Sequence, residues 1–190
     1  AYHGMDVVWG CRGVSASQPM TAQVRAARAD NATFALLARH SVARLREVVD
    51  GPLVVFKGPE IAALYRHSEA RFSADVDVLS PDATRTWSQL VAAGYGAADA
   101  IDPPGHFHLP PLLDPTTGVA VEVHHQPGWV AIKAPPSVAE LFERAVPSAT
   151  GVAGVLTLCP LHHAAALAAH IARSGCLSRA GEALDLLLCL

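Results

Sequence analysis

Asp75 and Asp77 stand two residues apart inside an otherwise apolar run, Ala74-Asp75-Val76-Asp77-Val78-Leu79. Successive side chains of a strand point to opposite faces, so both acids project from one face while Val76 and Val78 project from the other. Carboxylates are expensive to bury unpaired, so the pair demands a cation or an open cleft. The same period applies to Val119–His125, where Glu122 and His124 share one face and Val121, Val123 and His125 the other. If this strand lies beside the first with matching faces, Glu122 becomes a third carboxylate. Mg²⁺ or Mn²⁺ is the fitting ion, because hard cations bind through a few carboxylates, water and substrate phosphates. Three converging acids can hold two such ions and activate an attacking hydroxyl.

Two cations belong to the same reading. Lys57-Gly58 closes the apolar run Leu53–Phe56, a place where phosphate can meet backbone N–H groups and the lysine charge. Arg71, ahead of the acid pair, carries a fork able to grip two phosphate oxygens. The competing outcome for both is a salt bridge to Asp75 or Asp77 that only neutralises the acids. His124 is expected on the acid face, to bind phosphate, contact the acceptor or orient Glu122, against a plain structural role. His106 with His108, and His163 with His170, share faces pairwise but lack a third ligand, so they read as packing or surface residues.

The elements that must position these residues form an alternating series. Apolar positions at Phe34, Leu37, Ala38, Leu45 and Val48 predict a helix over residues 21–50, stopped by Gly51-Pro52. A buried strand over Leu53–Phe56 leads to a helix over 60–67, with Pro59 in its first turn. The acid strand follows, then a helix over 83–93 capped by Ser80 or Asp82. A short strand is expected around His106–Leu109, a clear one over Val119–His125, a helix from Ser137 to Ala145, a strand over Val155–Leu158, and helices over 160–173 and 180–190. This order predicts an α/β (α+β) fold with a mixed sheet flanked by helices. It divides into an N-terminal helical segment (1–50), a core (51–135) and a C-terminal helical part packed on that core (136–190).

The 190 residues allow one good core. Apolar residues at 51% against 16% charged argue against disorder. A net charge of −3 and the lack of a Lys/Arg run exclude an extended nucleic-acid groove but permit a single nucleotide. The longest apolar run, Cys159–Ile171, is interrupted by three histidines and falls short of the ~18 residues of a membrane span. Cys11, Cys159, Cys176 and Cys189 form no CxxC pair, so a reducing cytoplasm is the expected setting. The sequence closes on Leu186-Leu187-Leu188-Cys189-Leu190 without a stop signal, and the natural chain is expected to continue.

In combination, these motifs resemble a family. Phe56-Lys57-Gly58, then Ala62-Ala63-Leu64-Tyr65, Arg71-x-x-x-Asp75-Val76-Asp77-Val78-Leu79 and Val121-Glu122-Val123-His124 look like the uncharacterised nucleotidyltransferase-like group. Glu140-Leu141-Phe142-Glu143-Arg144-Ala145, Leu158-x-Pro160 with the His-rich helix, and Leu184-Asp185 extend the likeness over residues 50–190. The group is a distant branch of the DNA polymerase beta-like nucleotidyltransferase superfamily. The resemblance implies metal binding by Asp75 and Asp77, with Glu122 as third carboxylate and general base. It implies a nucleoside triphosphate as substrate and an acceptor that the sequence does not identify. The rival readings are a non-catalytic module of the same fold, meeting a protein partner at the C-terminal helices, and a sugar-nucleotide-dependent transferase, which also uses a DxD pair.

Overall fold

The computed structural model describes residues 18–97, 107–130, 133–173 and 180–190. Helix α1, Gln18–Val48, buries a stripe through Ala38, Val42 and Leu45 that continues to Val49 just past its end. These positions are three and four apart, the spacing of one helical face. Leu37, expected on that face, is 37% exposed because it sits one residue, about 100° of helix, away from the stripe. Arg46, in the last turn, donates to the carbonyls of Val49 and Gly51 and so satisfies acceptors that the helix end leaves open.

Seven strands follow: β1 (Leu53–Phe56), β2 (Asp75–Leu79), β3 (Gly96–Ala97), β4 (Leu112–Leu113), β5 (Ala120–His124), β6 (Val146–Pro147) and β7 (Val155–Thr157). They form one mixed sheet in the order β3-β4-β5-β2-β1-β7-β6. Strand β1 runs antiparallel to β2 and parallel to β7, and β2 runs parallel to β5. The fold is therefore α/β, as the alternating element order predicts.

Both faces of the central strands are covered, which is why β1 is an unbroken apolar run rather than an alternating one. One face carries Leu53, Val55, Val76, Val78, Val121 and Val123 against α1 and against Ala83 and Leu90 of helix α3 (Ala83–Ala92). The other carries Val54, Phe56 and Leu79 against Leu141 of helix α4 (Val138–Glu143) and Ala166 of helix α5 (Pro160–Arg173). Helix α6, Ala180–Cys189, packs with α5. Asp82 caps α3 by accepting from Arg85 N at 3.0 Å, and Ser137 caps α4 by accepting from Glu140 N at 3.2 Å.

Local pattern misjudged two places. The helix expected over 60–67 is the short α2, Gly58–Ala62, after which Leu64 N and Tyr65 N bond three residues back and the chain tightens toward a 3₁₀ turn at Ser68–Ala70. That tightening carries the Tyr65 hydroxyl to Asp185, a tertiary contact that helical spacing does not reveal. The strand expected around His106–Leu109 is a single bridge, His108 to His124, with Leu109 N bonded to Val123 O at 2.9 Å; His106 lies outside the described residues. Among the described residues no helix is long and apolar enough to cross a membrane.

Leu45 is fully buried between α1 and the sheet, whereas Leu36 on the same helix is 72% exposed. Leu45→Ala is expected to lower unfolding stability in urea by about 2–5 kcal/mol, the cost of lost transfer energy plus a cavity. Leu36→Ala is expected to shift it by less than about 0.5 kcal/mol. Equal effects of the two variants contradict the placement of α1.

Candidate active site

The ladder between β2 and β5 is continuous from Asp75–Ala120 to Leu79–His124, with Asp77 directly beside Glu122. No bulge interrupts it, so the two-residue period holds and Asp75, Asp77, Glu122 and His124 belong to one face. It is the face that carries Phe56 and Leu79, on the side of α4 and α5. Val76, Val78, Val121 and Val123 fill the opposite face and lock the register, since a one-residue slip would turn every acid into the α1 core.

Asp77, at 2% exposure, is more enclosed than Asp75 and Glu122. Its Oδ1 accepts from Lys57 Nζ at 2.7 Å and lies 2.8 Å from His124 Nε2. The same His124 nitrogen is 3.5 Å from Glu122 Oε2, and His108 Nε2 approaches that oxygen at 4.0 Å. His124 is itself held by aromatic rings, with the Phe56 edge at 5.0 Å and Phe107 stacked at 5.9 Å between centroids. One ligand atom from each of Asp77, Glu122 and His124 falls within 4.8 Å of the others. Asp75, half-buried at the start of β2, stands outside this trio.

Lys57 reaches Asp77 from an unusual turn. Among the described residues it is the non-glycine residue with positive φ, at 60° with ψ −140°, a conformation that costs on the order of 1–3 kcal/mol and needs outside support. Two groups supply it. Lys57 N donates to His163 Nε2 of α5 at 2.8 Å, and Arg71 Nη1 donates to Gly58 O at 3.3 Å. Gly58 is required here: at φ 28°, a Cβ would lie 3.2 Å from the carbonyl oxygen of Asp75.

Arg71 pairs with neither Asp75 nor Asp77 but with an acid of the last helix. Its guanidinium is engaged by Asp185 of α6, with Nε 3.1 Å from both carboxylate oxygens and Nη2 3.0 Å from Oδ2, and it also donates to Phe72 O and Ser73 Oγ. Asp185 accepts in addition from the Tyr65 hydroxyl at 2.6 Å. Glu60, another buried acid, is occupied by Ser148 Oγ and by Ala149 N at 2.9 Å and lies apart from this cluster.

A family model described as an uncharacterised nucleotidyltransferase matches residues 12–189. The chain belongs to that family. No curated protein and no solved structure matches it.

The electrostatics of the cluster follow from the geometry. Burial opposes ionisation of Asp77, yet the Lys57 charge and the His124 hydrogen bond outweigh it and hold the carboxyl far below its usual range. Burial likewise opposes the Glu122 charge, and the His124 hydrogen bond overrides it, leaving that carboxyl lowered. His124 is raised, because its bonds to Asp77 and Glu122 outweigh the burial that disfavours the imidazolium. Asp75 has no such partner: burial first, then the charges of Asp77 and Glu122, push it up to about 7. Lys57 and His124 thus match Asp77 and Glu122, and Asp75 is the acid they leave least compensated. The carboxylate oxygens gathered here are the donors that a hard divalent cation takes.

Two residues at the site escaped the sequence reading as contributors. His163 was noted only as one of a helical pair with His170, and no local signal ties a helix residue to a turn 106 positions earlier. Asp185 entered only through the family motif Leu184-Asp185, and its use as the Arg71 partner depends on where α6 docks.

His163 accepts the Lys57 N–H and must be neutral at Nε2 to do so. Burial, followed by the Arg71 charge, pushes its pKa down from 6.5 to about 4. The folded state thus rejects a proton that the unfolded chain takes up. This contribution to stability is full above about pH 6.5 and is lost as pH falls toward 4. Unfolding stability from pH 7 to 4 is expected to drop more steeply in the wild type than in His163→Gln, whose side chain does not titrate. Identical slopes are incompatible with a neutral, bonded His163.

Proposed function

We propose that the protein moves a nucleotidyl group from a nucleoside triphosphate to a hydroxyl, phosphate or protein acceptor, with Mg²⁺ or Mn²⁺ held by Asp75, Asp77 and Glu122. The observation that carries this reading is the Asp77–Glu122 pairing, which gathers acids on one sheet face in a chain of the nucleotidyltransferase family. The raised Asp75 supports it further, because a bound cation would offset the burial and the like charges of Asp77 and Glu122 that disfavour its ionised form. When bound, a divalent ion supplies positive charge for the phosphate oxygens and for the departing pyrophosphate.

The chain's own residues do the rest. The acceptor oxygen attacks the α-phosphorus, its proton passes to Glu122, and the bond to pyrophosphate breaks. His124, gripped between Phe56 and Phe107, orients Glu122 and Asp77 for this arrangement. Lys57 neutralises Asp77 and turns its ammonium to the phosphates when the acid is otherwise compensated. Arg71, bound to Asp185 and to Gly58 O, shapes the turn beside the nucleotide. A cytoplasmic setting suits a substrate of this class.

A second reading has its own observation. Asp77 is already compensated by Lys57 and His124, and Leu187 and Leu190 of the C-terminal helix region are 69% and 86% exposed. A non-catalytic module of this fold, meeting a protein partner at the C-terminal helices, would share both features. Calorimetry with Mg²⁺ and each of the four nucleoside triphosphates separates the two, since the module binds none of them.

Asp77→Asn keeps the shape of the side chain and removes its charge. With radiolabelled nucleoside triphosphates and a lysate as acceptor source, this variant is expected to lose at least about 10²–10³-fold in metal-dependent label transfer. Circular dichroism should show an unchanged fold. Wild-type transfer by the folded variant sinks the assignment.

A further inference from the structure

The turn that carries Lys57 is built so that it cannot hold itself. Lys57 sits at φ 60° with a Cβ, the following Gly58 at φ 28°, and β1 ends one residue earlier. The outside support comes from the C-terminal helices: His163 Nε2 takes the Lys57 N–H at 2.8 Å, and Arg71, fixed by Asp185, donates to the Gly58 carbonyl at 3.3 Å. His163 is 5% exposed, so water does not replace it as the acceptor. On the same residue, 2.7 Å separates Nζ from Asp77 Oδ1.

We infer that His163 is a positioning residue, which fixes the backbone of Lys57 in its strained conformation and so aims the Lys57 ammonium at the acid cluster. The use of that ammonium on phosphate rests on the nucleotidyl-transfer reading; the backbone clamp does not. Released from His163, Lys57 relaxes toward negative φ, the direction of its side chain changes, and Nζ leaves Asp77. The alternative is that His163 merely satisfies a buried N–H and that Lys57 finds Asp77 regardless.

The chain has two lysines, Lys57 and the exposed Lys133, so each protein carries its own internal reference. Acetylation by an N-hydroxysuccinimide ester, followed peptide by peptide in the mass spectrometer, reads how far Lys57 is held by Asp77, with no need for activity. Three variants are compared with the wild type. His163→Leu removes the acceptor while keeping bulk. His163→Gln keeps an acceptor oxygen near the position of Nε2. Leu167→Ala, a 3%-exposed position one turn further along the same helix, produces a stability loss while leaving the His163 imidazole in place. Should His163→Leu fail to fold, His163→Met takes its place.

The Lys57-to-Lys133 acetylation ratio is expected to rise about tenfold or more in His163→Leu and to stay near the wild-type value in His163→Gln and Leu167→Ala. In nucleotide turnover, His163→Leu is expected to lose about 10- to 100-fold in kcat, the scale on which a misplaced group costs rate, with His163→Gln recovering to within a few-fold. An unchanged acetylation ratio in folded His163→Leu overturns the inference, as does an equal rise in Leu167→Ala. A wild-type protein without turnover defeats the nucleotidyl-transfer reading instead, and the acetylation ratios still decide the clamp.

Discussion

A carboxylate with 2% of its surface exposed has to be compensated from within the fold, and for Asp77 the compensation comes from two strand ends at once. Lys57 arrives from the end of β1, His124 from the end of β5, and the Glu122 beside it shares that histidine. Each partner is anchored by apolar packing on the far side of the sheet, where Val76, Val78, Val121 and Val123 are buried. The alternation of valine with acid or histidine along two neighbouring strands is therefore one constraint with two consequences. It builds the core on one side and gathers the charge on the other.

That coupling explains which parts were legible in the sequence. The two-residue period of Asp75-Val76-Asp77-Val78 and Val121-Glu122-Val123-His124 states the face of every side chain, so the gathering of acids and His124 follows once the strands are neighbours. The main helices and strands were equally plain, because Asp82 and Ser137 mark helix starts and the apolar runs mark buried strands. Strands of two residues, such as Gly96–Ala97, Leu112–Leu113 and Val146–Pro147, carry no periodicity at all and are defined by the partners they find. Leu37 fell off its predicted face for a related reason: in an apolar pair such as Leu36-Leu37 beside Ala38, spacing alone does not choose the residue that turns inward.

The cationic side of the site was less legible than the acidic side. Arg71 is close in sequence to the acids, and proximity suggested either phosphate or Asp75 and Asp77 as its partner. Its actual partner, Asp185, lies 114 positions away in the last described helix. Lys57 was placed correctly near the acids, yet the φ of 60° that brings it there appears nowhere in residue type, since lysine is a poor choice for that conformation. Long-range hydrogen bonds override local preference at this turn, and such overrides concentrate where a chain does chemistry.

The tie between the Lys57 turn and partners 106 and 114 positions distant also bears on how the protein assembles. Contacts of such sequence separation form late, after the entropy of closing large loops has been overcome. The acids gather when β2 meets β5, but the Lys57 turn has neither of its clamps until α5 and α6 are in place. The shape of that turn is therefore set by the docking of the last two helices, not by the strand that precedes it.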